Sequence, residues 1–250
     1  MGEKKFLYKP IPKSKPQTLV MIEKFKTEKE LNEIVIGKIL GDGSINKTGN
    51  LCFSQSVKQK DYIEHCFQLF KSYIRPNREI RSYMNKRKGK EHEILSFETC
   101  AIFKELLSVF YIYEENTNKR IKVIPKNIGD WLTLRSLAYW IMDDGCKKGN
   151  KVVLCTHSFS LEENQLLASI LENKFSLICN IVQLKNHNKE GAFWYVIKIM
   201  NTELLWSSVK EYILPTFYYK FGKLGNSNYI ESELDFESDI DFSEKDFSEK

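Results

Sequence analysis

Ile34-Val35-Ile36-Gly37-Lys38-Ile39-Leu40-Gly41-Asp42-Gly43 and Ser136-Leu137-Ala138-Tyr139-Trp140-Ile141-Met142-Asp143-Asp144-Gly145 are two apolar runs of helical length, and both close on Asp-Gly. Glycine at that place ends a helix readily because it can enter the left-handed region, the conformation expected here of Gly43 and Gly145. Asp144 follows Asp42 by 102 residues, and the same offset carries Ser54-Gln55-Ser56 onto Thr156-His157-Ser158. Self-similarity at a fixed offset predicts one structural unit used twice.

The flanking periodicity agrees. Residues 51–57 and 152–159 read as strands carrying the polar triplets, each followed by a helical pattern, at 61–73 and 161–175. Two further strands follow in each half, 78–84 with 91–98 and 177–187 with 193–200, and a last helix near 99–110 and 202–212. The expected fold class is α+β, with two pseudo-symmetric αββαββα halves, at residues 29–128 and 129–230. Residues 1–28, lysine-rich and holding Pro10, Pro12 and Pro16, read as an extended basic arm. Residues 231–250 repeat Asp-Phe-Glu-Ser and Asp-Phe-Ser-Glu, too poor in apolar residues to form a core, and are expected to be a mobile acidic tail.

At 250 residues, 42% hydrophobic and 28% charged, the chain is neither disordered nor collagen-like. It lacks the roughly 18 to 20 continuous apolar residues of a membrane span, so no membrane partner is expected. Six cysteines without a CxxC pair or zinc-ligand spacing read as reduced, mostly buried thiols of an intracellular protein. The net charge of +5 divides into −7 over residues 231–250 and +12 over the remainder. A body so basic suits a polyanion, with nucleic acid favoured because no lipidation signal or basic amphipathic helix is present.

Asp42 and the Asp143–Asp144 pair stand at the negative ends of their helices, where a cation is ordinarily favoured. Helices related by the repeat are expected to lie side by side, with Gly37 and Gly41 permitting close approach. The converging acids then call for a hard divalent cation, magnesium with manganese as a substitute, rather than zinc. Such a site suits in-line displacement at phosphate. Lys122, with Lys126 as a rival, and Lys220 are candidates to neutralise transition-state charge, each near a proline. Gln55 and His157 are candidates to orient the attacking water.

Residues 34–45 and 136–147 resemble the two motifs of a single-chain LAGLIDADG homing endonuclease, and the likeness extends over roughly residues 30–222. The resemblance implies paired motif helices at a pseudo-twofold axis, flanked by saddle-shaped antiparallel sheets lying in successive major grooves. It implies metal-dependent cleavage of both DNA strands, leaving short 3′ overhangs, by a monomer acting as a pseudo-dimer. Asp42 and Asp144 match the metal-binding acids, Gly41 and Asp143 can add backbone carbonyls, and Lys122, Lys220, Gln55 and His157 match supporting roles. Two departures stand out. Tyr139 replaces a small residue at the helix contact, and Leu40 and Met142 replace the first aspartate of the motif.

Strand alternation proposes the residues that read DNA. In the first half these are Arg78, Arg81 and Tyr83, then Lys86, Arg87, Lys88 and Lys90 at a basic turn, then His92 and Ser96. In the second they are Gln183, Lys185 and His187, Lys189 at the turn, and Trp194 and Lys198 on the return strand. Arg and Gln suit bidentate base contacts, whereas turn lysines grip phosphate. Unlike halves imply an asymmetric target. A competing reading is an intron maturase binding RNA, and a third is a silent DNA-binding regulator, against which the retained acids and lysines argue. Abundant Lys, Asn, Ile, Phe and Tyr, with AT-rich codons, suggest an organellar intron in a mitochondrion or plastid as the home of the gene.

Overall fold

A computed structural model describes residues 29–87, 89–114, 119–185 and 193–225. The basic arm, the acidic tail, Lys88, His187 and Lys189 lie outside the described residues. The first half runs α1 (Lys29–Leu40), β1 (Ser44–Ile45), β2 (Leu51–Ser56), α2 (Lys60–Leu69), β3 (Arg81–Arg87), β4 (Lys90–Glu98) and α3 (Lys104–Phe110). A two-stranded ribbon, β5 (Tyr111–Tyr113) with β6 (Arg120–Lys122), leads to the second half. There α4 (Leu134–Asp144), β7 (Gly145–Lys148), β8 (Lys151–Leu154), α5 (Leu161–Phe175), β9 (Cys179–Lys185), β10 (Phe193–Ile199) and α6 (Thr202–Val209) repeat the order. The sheets are ordered β1-β2-β4-β3 and β7-β8-β10-β9, all antiparallel, so the αββαββα unit occurs twice, as the repeat predicts.

Local chemistry starts the helices of the second half. Thr133 and Ser136 form a capping box at α4, and Ser160 with Glu163 forms another at α5, satisfying amides that the first turn leaves open. Helices α1 and α4 are buried along nearly their whole C-terminal halves and form the centre of the core, with the sheets packed to either side.

Three expectations change. The strand expected at 152–159 stops at Leu154, leaving Thr156-His157-Ser158 in a turn. The cause is Asn164, whose amide donates to the carbonyls of Thr156, Phe159 and Ser160 and draws the chain onto the start of α5. The first-half hairpin is longer than expected, since β3 and β4 extend to Arg87 and Lys90 around a left-handed Gly89, and Arg78 precedes the strand. Of the six free cysteines only Cys66 is buried, the others being half-buried. Among the described residues no helix is long and apolar enough to cross a membrane.

Candidate active site

The two motif helices meet at their glycines. A Cβ on Gly37 would lie 2.3 Å from the Ser136 carbonyl oxygen and 2.8 Å from Tyr139 Cβ, and one on Gly41 would lie 2.5 Å from Asp143 Cβ. Tyr139 is accommodated because Gly37 faces it, while its hydroxyl reaches His65 Nε2 at 2.7 Å. Gly43 and Gly145 are not left-handed, contrary to expectation; Gly145 is extended at φ −77° and ψ 138°. What demands glycine is space. A Cβ at Gly43 or Gly145 would sit 2.6 Å from the Lys38 or Ile141 carbonyl, the group to which each amide donates at its helix end.

This crossing gathers Asp42, Asp143 and Asp144. Asp143 is the most heavily bonded. Its Oδ1 accepts from Lys38 Nζ at 2.6 Å, Tyr62 OH at 2.9 Å and Gln55 Nε2 at 3.3 Å, and its Oδ2 accepts from the Asp42 amide at 3.1 Å. Side-chain exposure is 1% for Lys38 and 0% for Asp143, so this is a buried ion pair. Burial pushes the Asp143 carboxyl up to about 6, against the pull of Lys38, leaving it ionised at neutral pH. Burial opposes the Lys38 charge most strongly, but Asp143, Cys66 and Asp42 together outweigh it and the pKa is raised. The Lys38 ammonium also lies 4.7 Å from the Tyr62 ring centroid.

Asp42 is exposed, and its Oδ2 accepts from Gln55 Nε2 at 3.0 Å. The strand parity that buries Leu51 and Phe53 aims Gln55 at the helix ends. Asp144 is raised well above the carboxylate range by burial and then by Asp42 and Asp143. Behind the acids stand two lysines in matching places. Lys122 Nζ donates to the carbonyls of Ile39, Gly41 and Gly43 at 2.8, 2.9 and 3.0 Å. Lys220 Nζ donates to those of Ile141, Met142 and Asp143 at 2.9, 2.6 and 3.4 Å. Each ammonium neutralises the negative end of a motif helix. Burial lowers both pKa values, and the nearby aspartates oppose it. Lys126 is exposed and makes no comparable approach. His157 is exposed beside Trp194, at 5.9 Å between ring centroids, and does not take the place Gln55 takes.

Among the described residues no three His, Cys, Asp or Glu side chains form a metal-binding group. Magnesium is ordinarily held by one or two carboxylates, with waters and substrate phosphates completing the octahedron. Asp42 and Asp144 fit that pattern, since burial and the neighbouring Asp42 and Asp143 raise the Asp144 pKa and a cation beside these acids would relieve their repulsion. The Gly41 and Asp143 carbonyls already accept from lysine.

Register sorts the candidate DNA-contacting residues by sheet face. Arg81 pairs with Ser96, Tyr83 with Ile94 and Asn85 with His92, so Arg81, Tyr83, His92, Ser96 and Lys90 share the sheet face opposite the buried Phe53 and Phe97, whereas Lys86 has the other parity. In the second half Trp194 lies opposite Leu184 and Lys198 opposite Asn180, so Trp194 and Lys198 face away from the side holding Gln183 and Lys185. Sequence reasoning missed Lys38 and Tyr62. A lysine inside an apolar helix was the available signal, because such a charge needs a buried partner.

Residues 32–206 match the LAGLIDADG DNA endonuclease family. The chain is 32% identical over 198 residues to the cytochrome b mRNA maturase bI2 of Saccharomyces cerevisiae, a match covering 76% of this chain and 46% of that protein. It thus spans about half the length of that relative. A probable intron-encoded endonuclease 1 of Wickerhamomyces canadensis is 34% identical over 200 residues, covering 75% of this chain and 82% of that one. The solved structure of the homing endonuclease I-WcaI bound to its DNA recognition sequence is 30% identical, with a TM-score of 0.64, covering 84% of this chain and 94% of that one.

Proposed function

Because the chain belongs to the LAGLIDADG DNA endonuclease family, we propose that it is a site-specific homing endonuclease that cuts both strands of a long asymmetric duplex by metal-dependent phosphodiester hydrolysis, leaving short 3′ overhangs. The observation that carries this reading is the junction itself, where two motif helices in contact through Gly37 and Gly41 deliver Asp42 and Asp144 together, each backed by a lysine on its helix end. The likeness to I-WcaI bound to DNA supports duplex DNA as the partner of a monomer whose halves act as a pseudo-dimer.

Asp42 and Asp144 would hold Mg2+, or Mn2+ in its place, with the Gly41 and Asp143 carbonyls beside them, and a bound ion would supply water activation and charge stabilisation at the leaving oxygen. Gln55 Nε2 spends its two amide hydrogens on the Asp42 and Asp143 carboxylates, and its Oε1 can accept a hydrogen from the water. Lys122 and Lys220 favour the ionised form of Asp144 and place positive charge where the phosphate gains negative charge. His157 serves the second half from its exposed turn. Arg81, Tyr83, Lys90, His92 and Ser96 read one half-site, with Arg78 and Lys86 in support, and Trp194 and Lys198, on the face opposite the buried Ile197 and Ile199, read the other. Gln183 and Lys185, on the reverse face, are assigned a supporting role, and Arg87, Lys88, His187 and Lys189 complete the proposed DNA contacts from the sequence alone. Residues 29–128 and 129–230 act as the two DNA-gripping halves, flanked by the arm and tail.

The test is cleavage of a randomised duplex library with and without magnesium, with Asp42→Asn/Asp144→Asn as control. One long asymmetric site cut only by the metal-loaded wild type is the expected result, with binding retained by the double variant. Absence of cleavage would overturn the reading. The bI2 similarity favours one second reading, an intron maturase, with or without DNA cleavage. Intron RNA bound and spliced by the aspartate variants would establish it. The cytochrome b and intron names of the relatives support an organellar home.

A further inference from the structure

The helix junction is not symmetric. Applying the 102-residue offset sets Gly41 against Asp143, Trp140 against Lys38, Asn164 against Tyr62 and His157 against Gln55. None of the four partners repeats its counterpart. Gly41 has no side chain, and the Trp140 indole nitrogen is buried with no hydrogen-bond partner among the described residues. Asn164 is spent on backbone carbonyls of its own turn, and His157 is exposed beside Trp194. Among the described residues the network Lys38–Asp143–Tyr62–Gln55 therefore exists once, and of Asp42 and Asp144 it bonds to Asp42 alone.

We propose that the Asp143 side chain is a positioning residue for Asp42, so that the half-site of Asp42 is fixed before substrate arrives while that of Asp144 is not. This rests on the cleavage reading above. The geometry is specific: Asp143 Oδ2 takes the Asp42 amide at 3.1 Å, and Oδ1 shares Gln55 Nε2 with Asp42 Oδ2, at 3.3 and 3.0 Å. One carboxylate thus anchors both the backbone and, through Gln55, the side chain of Asp42. Lys38 and Tyr62 hold the anchor from behind at 2.6 and 2.9 Å, with no access to solvent for either Lys38 or Asp143 beyond 1%. A rigid, fully bonded supporting group is what sets the orientation of a metal-binding carboxylate. Asp144 is held instead by its place in the last turn of α4.

The consequence is unequal strands. The variant Lys38→Met/Asp143→Leu removes the anchor without leaving a buried charge unpaired, a replacement that buried ion pairs commonly tolerate. Duplexes bearing the site recovered from the library, end-labelled on each strand in turn, report the two cuts separately. The strand that Asp42→Asn slows more identifies the Asp42 half-site. The double variant is expected to slow that same strand at least tenfold relative to the other, the scale of supporting-residue losses around metal sites. Tyr62→Phe, which keeps the packing and removes one bond to Asp143, is expected to bias the strands in the same direction by a smaller factor. In metal-free protein, hydrogen exchange at the Asp42 amide is expected to quicken at least tenfold in the double variant, with the Asp144 amide unchanged. Equal slowing of both strands, slowing of the opposite strand, no strand bias in Tyr62→Phe, or unchanged exchange at Asp42 would each overturn the inference. A wild type that cuts neither strand would instead remove the cleavage reading, and this inference with it.

Discussion

Replacing Lys38 by methionine tests the buried pair most directly, because methionine matches the length of the lysine stem and deletes only the ammonium. Asp143 would keep Tyr62, Gln55 and the Asp42 amide as donors, at 2.9, 3.3 and 3.1 Å, but lose its counter-charge at 2.6 Å. Breaking a buried pair on one side costs about 3–5 kcal/mol when the remaining charge persists. Here the remaining group can take up a proton instead, so the cost depends on pH. In the wild type the Asp143 carboxyl sits at about 6, held up by burial and pulled down by Lys38. Without Lys38 it moves higher. Between pH 6 and 8 the unfolded carboxyl is ionised in both proteins; the folded wild type is half protonated at pH 6 and ionised by pH 8, whereas the folded variant keeps more of its proton, so the variant loses stability relative to wild type as pH rises. One proton over two pH units, less the half proton the wild type releases, widens the gap by at most about 2 kcal/mol. The Lys38 pKa is raised, so the stability tied to its charge is present below its unfolded value and lost only as pH climbs through the folded one, above this window. Urea unfolding followed by circular dichroism at pH 6, 7 and 8 measures the gap, and the double variant Lys38→Met/Asp143→Leu is expected to abolish its pH dependence. A gap below about 1 kcal/mol at pH 8, or one that does not widen from pH 6, would refute the buried-pair argument.

At the helix contact, Gly37→Ala gains roughly 1 kcal/mol of helix propensity but drives a methyl to within 2.3 Å of the Ser136 carbonyl. Overpacking of about 1–3 kcal/mol should prevail and lower the melting temperature, whereas a more stable variant would contradict the close crossing. His65 is held below its ordinary pKa by burial. The folded chain therefore favours neutral imidazole, and the stability it adds above pH 6.5 is lost as pH falls toward the folded value; an NMR midpoint at or above 6.5 would contradict this. DNA affinity should drop steeply with salt as phosphate contacts release counterions, and a flat logarithmic plot would count against a phosphate-gripping basic body.

Legibility followed the range of the forces involved. The repeat, the helix ends and the close approach at Gly37 and Gly41 were readable because each is written in a few adjacent residues. The αββαββα order followed for the same reason. The turn at Thr156-His157-Ser158 was hidden because Asn164, a helical residue downstream, outcompetes the sheet for those carbonyls. Lys122 and Lys220 were readable as cations near the acids, but their grip on helix-end carbonyls comes from elements about 80 residues away, between 77 and 83 in the bonds observed. Lys38 is legible only as a charge amid Ile36, Ile39 and Leu40 that must be paired at 1% exposure; the first half offers Tyr62, and the counter-charge comes from Asp143 in the second half, 105 residues away. The Gly43 and Gly145 positions show a right residue assigned a wrong reason, since carbonyl crowding, not backbone handedness, excludes a side chain there.

The asymmetry of the junction has a steric origin. Where Gly37 faces Tyr139 and Gly41 faces Asp143, a second side chain would bring Cβ atoms to 2.8 and 2.5 Å, so only one partner in each contact can carry one. Both glycines lie on the first motif, at the end of α1 and just beyond it, which makes that motif the smooth surface and α4 the one bearing side chains. The choice is not neutral once made, because the carboxylate of Asp143 lands beside Lys38, and the pseudo-symmetric place beside Trp140 offers no cation. Exchanging the two residues in Gly41→Asp/Asp143→Gly preserves the steric count yet strands the Lys38 ammonium and sets a carboxylate at the buried position 41, where the pseudo-symmetric counterpart of Lys38 is Trp140. That exchange is expected to cost at least about 3 kcal/mol in urea unfolding at pH 8. Wild-type stability in the exchanged protein would mean that shape alone governs the contact. A loss of the expected size would mean that the duplicated halves were free to diverge only as far as the single Lys38–Asp143 pair allowed.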